Sequence, residues 1–209
     1  MIIAIDAAST DLSVALAEPD GTLIAEDAWS SAQRQSAELL PRILELLDGA
    51  GRPLGSATAL AVGTGPGSFT GLRVAMALAK GLAIGLTRPA VGVPSLRAWL
   101  DADPDATAAV ARAGARDAYV LTREADGPHI VDRDELESLT GPVVAASELA
   151  AAFGLDGSHA PRGASAIARR AAERLVTEPA GDDVSTLEPI YLRAPRGVTA
   201  ESEERVRWL

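Results

Sequence analysis

The stretch from Ala59 to Leu86 constrains this chain more than any other. Ala59 to Val62 is an apolar run, Gly63-Thr64-Gly65-Pro66-Gly67-Ser68-Phe69-Thr70-Gly71 follows it, and from about Thr70 to Leu86 only Arg73 and Lys80 carry charge. A buried strand entering a glycine turn that opens a long helix, with a parallel crossover to Ala90–Val93, is the repeating unit of an α/β sheet. Leu72, Val74, Ala75, Met76, Leu78, Ala79, Leu82, Ala83, Ile84 and Leu86 make the helix apolar nearly all round. Such a helix cannot lie on a sheet with its other side in water, so a neighbouring helix of the same lobe, another chain, or both must cover it.

The flanking sequence extends this unit. Ile2 to Ile5, ending in Asp6, and the alternation of Leu12, Val14 and Leu16 read as two strands. Turn residues Pro19, Asp20 and Gly21 precede a third strand over Thr22 to Ala25, which predicts an antiparallel meander. Leu39, Leu40, Ile43, Leu46 and Leu47 recur at helical spacing between Ser36 and Leu47, with Gly49 and Gly51 as a stop. Pro41 requires that helix either to kink or to start later than Ser36. Beyond Trp99 the acidic, proline-containing segment Asp101–Asp105 marks a boundary. The expected division is 1–100 for an amino-terminal lobe, 101–196 for a second lobe and 197–209 for a polar tail that frays until Val206, Trp208 or Leu209 finds a surface. Within the second lobe, Ala106–Ala113, Ala118–Arg123 and Pro142–Ala145 read as strands, and Ile190–Leu192 as a last short one. Helices are expected near Arg133–Leu139, from Ser147, and over Ala164–Val176 with Ile167, Ala171, Leu175 and Val176 inward. No internal repeat is visible in the sequence.

Chemistry is sparse. The glycine turn presents backbone N–H groups and hydroxyls at a helix start, which suits an anion or a purely structural cap. It is neither a Walker A loop nor GxGxxG, since Ser68 and Thr70 stand where glycine is needed. Asp6, with Ser9 and Thr10 entering a tight turn, could address a metal-bound phosphate or satisfy turn donors. The two histidines, His129 and His159, are isolated in polar loop-like sequence without HExxH spacing, and there is no Gly-x-Ser-x-Gly elbow. No catalytic residue and no metal site are therefore assigned. With no cysteine, no disulfide or thiolate site can form. Neither a basic leader nor an uncharged apolar stretch of membrane-spanning length is present, so the expected location is the cytoplasm. The formal charge of -10 and an aromatic content of 3% disfavour direct nucleic-acid binding. The arginines at 162, 169, 170, 174, 193 and 196 read as a solvated helix face.

Four stretches together resemble the TsaB (YeaZ) family, paralogues of the TsaD enzyme of bacterial tRNA threonylcarbamoyladenosine synthesis. They are Ile3-Ala4-Ile5-Asp6 with Ser13-Val14-Ala15-Leu16; Leu40-Pro41; Gly65 to Arg73 with Ala79 to Ala83; and Pro189-Ile190-Tyr191-Leu192-Arg193. The glycine stretch is the specific one, and the likeness is dense over residues 1–100 and thin afterwards, where Asp117-Ala118-Tyr119 stands for Glu-Val-Tyr. The resemblance implies an α/β, two-lobed actin/sugar-kinase/heat-shock-like (ASKHA) fold with ribonuclease H-like lobes. It implies an accessory, non-catalytic subunit, a pseudoenzyme, in a complex with a TsaD paralogue and the TsaE ATPase. In that complex ATP and metal belong to the partners, and this chain requires no cofactor. Ser95 and Trp99 stand where TsaD relatives carry two metal-binding histidines. Pairing through amino-terminal helices is implied, with Leu72, Arg73, Met76, Ala79 and Lys80 as the interface, and the same pairing allows a homodimer. Departures at Gln35, Ala7, Ala8 and Arg112 lead us to expect that any nucleotide site at Asp6, Ser9, Thr10, Gly65 and Gly67 is vestigial. Two rivals remain: a small actin-fold phosphotransferase or ATPase acting alone, and a peptidase.

Overall fold

The computed structural model describes residues 1–31, 34–114, 116–155 and 161–192. The expected tail 197–209, Arg193, Arg196 and His159 lie outside them. A five-stranded sheet of order β3-β2-β1-β4-β5 comprises β1 (Ile2–Asp6), β2 (Asp11–Ala17), β3 (Leu23–Ser30), β4 (Ala59–Gly63) and β5 (Ala90–Val93). The first three form the antiparallel meander, and β4 and β5 run parallel to β1.

Both faces of β1, β2 and β4 are buried while edge strand β3 is largely exposed or half-buried, and the period-2 side-chain alternation gives the two buried faces different side-chain sizes. Ile3, Ile5, Leu12, Val14, Leu16, Leu60 and Val62 point to one face, where α1 (Gln35–Gly49) and α2 (Phe69–Leu86) pack. Ala4, Ala15, Ala17, Ala59 and Ala61 line the other, where α6 (Gly163–Thr177) brings Ala164, Ala168, Ala171 and Ala172. Small residues on both partners let helix and sheet approach closely. The sequence boundary at 101 assigns this helix to the second lobe, yet it completes the first. Val176 is also corrected: it is 80% exposed, whereas Ile167 and Ala171 are buried.

Helix α1 starts at Gln35 and continues through Pro41. Pro41 and Ala37 both lie on the exposed side, so the Ala37 carbonyl deprived of its donor faces water. Helix α2 has 18 residues and a mean hydropathy of 1.4, which by length and composition alone would suit a membrane span. Here Ala75, Met76, Ala79 and Ala83 are spent on the sheet, as in a core helix.

The second sheet, order β8-β7-β6-β9, contains β6 (Ala108–Arg112), β7 (Ala118–Thr122), β8 (His129–Val131) and β9 (Val143–Ala145). Its order and strand directions repeat those of β3-β2-β1-β4, an antiparallel meander followed by a strand parallel to the first. The repeat is thus topological and has no counterpart visible in the sequence. His129 sits in strand β8 rather than a loop, though exposed. Ile190–Leu192 is not a strand; among the described residues it makes one backbone bond to the sheet's loops, from the Ile190 N–H to the Thr64 carbonyl. Short helices α4 (Arg133–Glu137) and α5 (Ser147–Phe153) complete this lobe.

Between the lobes runs α3 (Ser95–Ala102), a helix not among those expected from the sequence. Leu96, Trp99 and Leu100 join Ala8 and Leu72 of the first lobe to Ala109, Tyr119 and Val144 of the second in one core. Arg123 fastens the connection, donating to the carbonyls of Leu100 (2.9 Å), Asp103 (2.6 Å) and Ala106 (2.7 Å). From β2, Asp11 accepts the Ser147 N–H at 2.7 Å and Ser13 accepts that of Ala164 at 3.0 Å, so one strand caps both α5 and α6.

Candidate functional site

Asp6 ends β1 beneath the glycine turn and is 2% exposed. Ser95 and Trp99, one turn apart on the same face of α3, both address it. The Ser95 hydroxyl donates to Oδ1 at 2.9 Å, and the Trp99 indole N–H donates to Oδ2 in a short hydrogen bond. Burial pushes the Asp6 carboxyl up, and the hydrogen bonds from Trp99, Ser95 and nearby backbone only oppose it. Among the described residues no cation is hydrogen-bonded or ion-paired to it. Gly63 lies against Oδ1 and Gly163 against Oδ2 and the Trp99 ring, each too close for a side chain.

The glycine turn is equally occupied. Gly67 sits so near the Ala8 carbonyl oxygen that a Cβ there would collide with it, and the Ser68 N–H donates to the same oxygen at 2.7 Å. Gly65 N–H is taken by the Ser95 hydroxyl (3.1 Å) and Gly71 N–H by Ser68 Oγ (3.2 Å), the latter a helix cap. Ser9 closes its own turn, accepting from Asp11 N–H at 3.1 Å and donating to its carbonyl at 2.8 Å. The structure therefore brings Asp6, Ser95 and Trp99 together, directs Ser9 and Gly65 into hydrogen bonds of the turns, and uses Gly67 for close approach to the Ala8 carbonyl. These residues do not fit a metal-bound phosphate at Asp6. Among the described residues no three His, Asp or Glu side chains gather as metal ligands.

Above this sealed layer an interlobe cleft of about 310 Å³ is lined by Ser9, Thr10, Gly67, Ser68, Arg112 and Glu148, among others. By topological equivalence Arg112 occupies in β6 the place that Asp6 occupies in β1, the last residue of the first strand. It pairs with Glu148 at 3.7 Å and donates to the Gly114 carbonyl at 2.9 Å.

The expected interface residues separate into two groups. Leu72, Met76 and Ala79 are buried inside the chain and are corrected on that ground. Arg73 is exposed and Lys80 half-buried; the outward ridge of α2 is Arg73, Ala77, Gly81, Ile84 and Gly85, with Ile84 69% exposed. An apolar helix gives no periodic signal of which side faces in, so the ridge could not be read from sequence. Helix α1 covers one flank of α2 while itself exposing Leu40 and Leu44. On α6, Arg170 pairs with Asp101, and Arg174 with Glu178 (2.8 Å) and Asp182 (2.7 Å). These account for part of the arginine cluster as ion pairs.

The family model for TsaD, tRNA N6-adenosine threonylcarbamoyltransferase, matches residues 29–187. A TsaB protein of Escherichia coli is 42% identical over 96 residues, 46% of this chain and 40% of that protein. The chain belongs to the TsaB (YeaZ) family. The aligned part spans about two fifths of the length of the Escherichia coli TsaB and of the Haemophilus influenzae one. An uncharacterized protein of Mycobacterium tuberculosis is 31% identical over 93% of this chain and 92% of its own length, so likeness also extends through the second lobe. Among solved structures, YeaZ from Pseudomonas aeruginosa superposes with a TM-score of 0.69 at 23% identity, covering 91% of this chain and 99% of that one. The two-lobed α/β fold is thus shared with that YeaZ structure, and the four-stranded second sheet repeats the order of the first four strands of the first.

Proposed function

We propose that this chain is a non-catalytic partner subunit of a TsaD-containing complex that forms N6-threonylcarbamoyladenosine in tRNA beside the anticodon. The observation that carries this reading is the Asp6 carboxylate, both of whose oxygens are consumed by Ser95 and Trp99 beneath closely packed glycines. A carboxylate so enclosed holds the lobes together instead of meeting a substrate. Family membership supports the pathway, and the exposed apolar ridge of α2 supports pairing with another protein. In this reading ATP and metal serve TsaD and the TsaE ATPase, this chain needs no cofactor, the complex is cytoplasmic, and contact with tRNA is left to the partners. Homodimers through the same ridge compete with the mixed complex.

Light scattering on a sizing column, with the chain alone and mixed with the TsaD paralogue of the same genome, tests the proposal. A species of the summed mass, together with tRNA modification that requires this chain, is expected. Independent elution with and without nucleotide and TsaE would overturn it. The interlobe cleft, with hydroxyls beside the start of α2, favours a second reading as a small phosphotransferase or ATPase. Magnesium-dependent nucleotide turnover by the purified chain would establish that reading.

A further inference from the structure

The chain has seven aromatic residues, two of them phenylalanine and two tyrosine, and one of each stands half-exposed around a single arginine. Phe69 is 45% and Tyr191 39% exposed, and their rings lie 5.7 Å apart. The Arg73 guanidinium sits 3.9 Å from the Phe69 ring centre and 5.9 Å from that of Tyr191, and Nε donates to the Tyr191 hydroxyl at 3.1 Å. Residues 118 apart in sequence, from two of the stretches that carry the family likeness, thus meet on the surface.

The meeting is enforced by the segment after α6. Asp182 pairs its N–H with the Ala90 carbonyl (2.8 Å) and accepts the Gly92 N–H (2.7 Å), and Ile190 bonds Thr64, laying the segment along the β5 edge towards α2. Between this segment and α2 lies a groove of about 320 Å³, with Ala77, Leu187 and Pro189 as apolar walls over the buried Met76 and with Arg73 and Lys80 as cations. Its one lining carboxylate is Glu188. Lys80 is close enough to Asp183 to help the Ser185 hydrogen bonds hold that carboxyl low. Arg73, in contrast, has no ion pair with any described carboxylate, although acids outnumber bases 29 to 19.

We propose that this groove is the anchor point at which the partner protein inserts a carboxylate flanked by an apolar side chain, the carboxylate bonding the Arg73 fork. The proposal rests on the pairing reading above and adds its chemistry. The stacked rings and the Tyr191 hydroxyl fix the guanidinium before the partner arrives, so little side-chain freedom is lost on binding. Arginine and aromatic residues are the types that dominate interface energetics. An acidic insert is complementary to Arg73 and Lys80, whereas a second copy of this strongly acidic chain is less favoured.

The test measures affinity for the purified TsaD paralogue by biolayer interferometry across salt concentration, with melting curves as a check on folding. Arg73→Met, which keeps the apolar stem, is expected to weaken binding about 30-fold and to flatten its salt dependence. Arg73→Lys should fall between, since it keeps charge without the fork, and Tyr191→Phe should lose several-fold by freeing the guanidinium. Ile84→Asp, on the ridge and away from the groove, reports on pairing through the ridge. If Ile84→Asp abolishes binding while Arg73→Met and Arg73→Lys bind like the parent, pairing stands and the anchor is overturned. If Ile84→Asp also binds like the parent, the anchor and the α2 ridge as interface are both overturned while pairing stands; if the parent itself does not bind, pairing and anchor fall together.

Discussion

Replacing Asp6 separates a structural carboxylate from a functional one. Asp6→Ala removes the acceptor of the Trp99 indole N–H, on a side chain with no exposure, and of the Ser95 hydroxyl. An orphaned buried donor costs about 1–3 kcal/mol. The hydroxyl can rotate but the indole N–H cannot, and the carboxylate leaves a cavity. Relief of the buried charge offsets part of this, leaving a net loss of roughly 2–4 kcal/mol, or about 4–16 °C in melting temperature for a chain of this size. Asp6→Asn keeps an acceptor for Trp99 and removes the charge, so at pH 7–8 it should lie within about 1 kcal/mol of the parent or above it. The sign of the pH dependence follows from the raised carboxyl. The folded form binds a proton more tightly than the unfolded chain, so the parent's stability falls as pH rises from the ordinary aspartate value of about 3.9 through the folded value. The benefit of Asn therefore grows across that window and vanishes below it. Urea melts at several pH values measure this for all three proteins. If Asp6→Asn is as damaging as Asp6→Ala at neutral pH, the negative charge itself is required, and the reading of Asp6 as a structural anchor fails.

Three further outcomes follow from the packing. Met76→Asp, at a position 4% exposed against the sheet, should unfold the chain, whereas Ile84→Asp should move its melting temperature by no more than about 2 °C; circular dichroism melts separate them. Arg123→Met removes donors from three carbonyls of the interlobe connection and should speed hydrogen exchange across residues 100–107 and β7, with a loss of roughly 1–3 kcal/mol. For Asp182, burial works to raise the carboxyl but the bonds from Arg174 and Gly92 outweigh it and hold it low. Its contribution is present above the ordinary aspartate value and lost as pH falls through the folded one. Asp182→Asn should lose less than about 1 kcal/mol, given its solvent contact, while exchange over 181–190 rises at pH 7 and converges with the parent in acid.

The legible parts of the fold are those with local causes. The meander, the glycine turn and the crossover to β5 follow from turn residues and side-chain period, and every observed strand except β8 overlaps an expected one, while the strand expected at Ile190–Leu192 does not form. Strands such as Ser13-Val14-Ala15-Leu16 look half-buried because one face is alanine, yet the alanines are what admits α6. That helix returns across some 150 residues to meet Ser13, an arrangement no local pattern encodes. The Asp6 site was visible only in part for the same reason. Asp6 itself ends an apolar strand, but its partners stand 89 and 93 residues away on a helix hidden behind Pro94.

The two lobes make the non-catalytic reading more than an argument about one residue. Because β6 repeats the position of β1, a two-lobed fold of this order directs two strand ends at its cleft. One here is Asp6, sealed by an indole and two glycines; the other is Arg112, whose charge is opposite and which is engaged by Glu148. A divalent metal at such a cleft is held by one or two carboxylates with oxygens available, together with substrate phosphates; here Asp6 has both oxygens engaged and Arg112 brings a cation where a second carboxylate would stand. Restoring one alone does not supply the other, and opening Asp6 by Trp99→Phe strands it in a buried pocket with only Ser95 and backbone donors. Trp99→Phe is thus expected to cost stability, about 1–3 kcal/mol for the carboxylate left short of a donor, without creating magnesium-dependent nucleotide turnover. Turnover appearing in that variant would mean that the indole occludes a competent site, and the chain would then be an enzyme held closed.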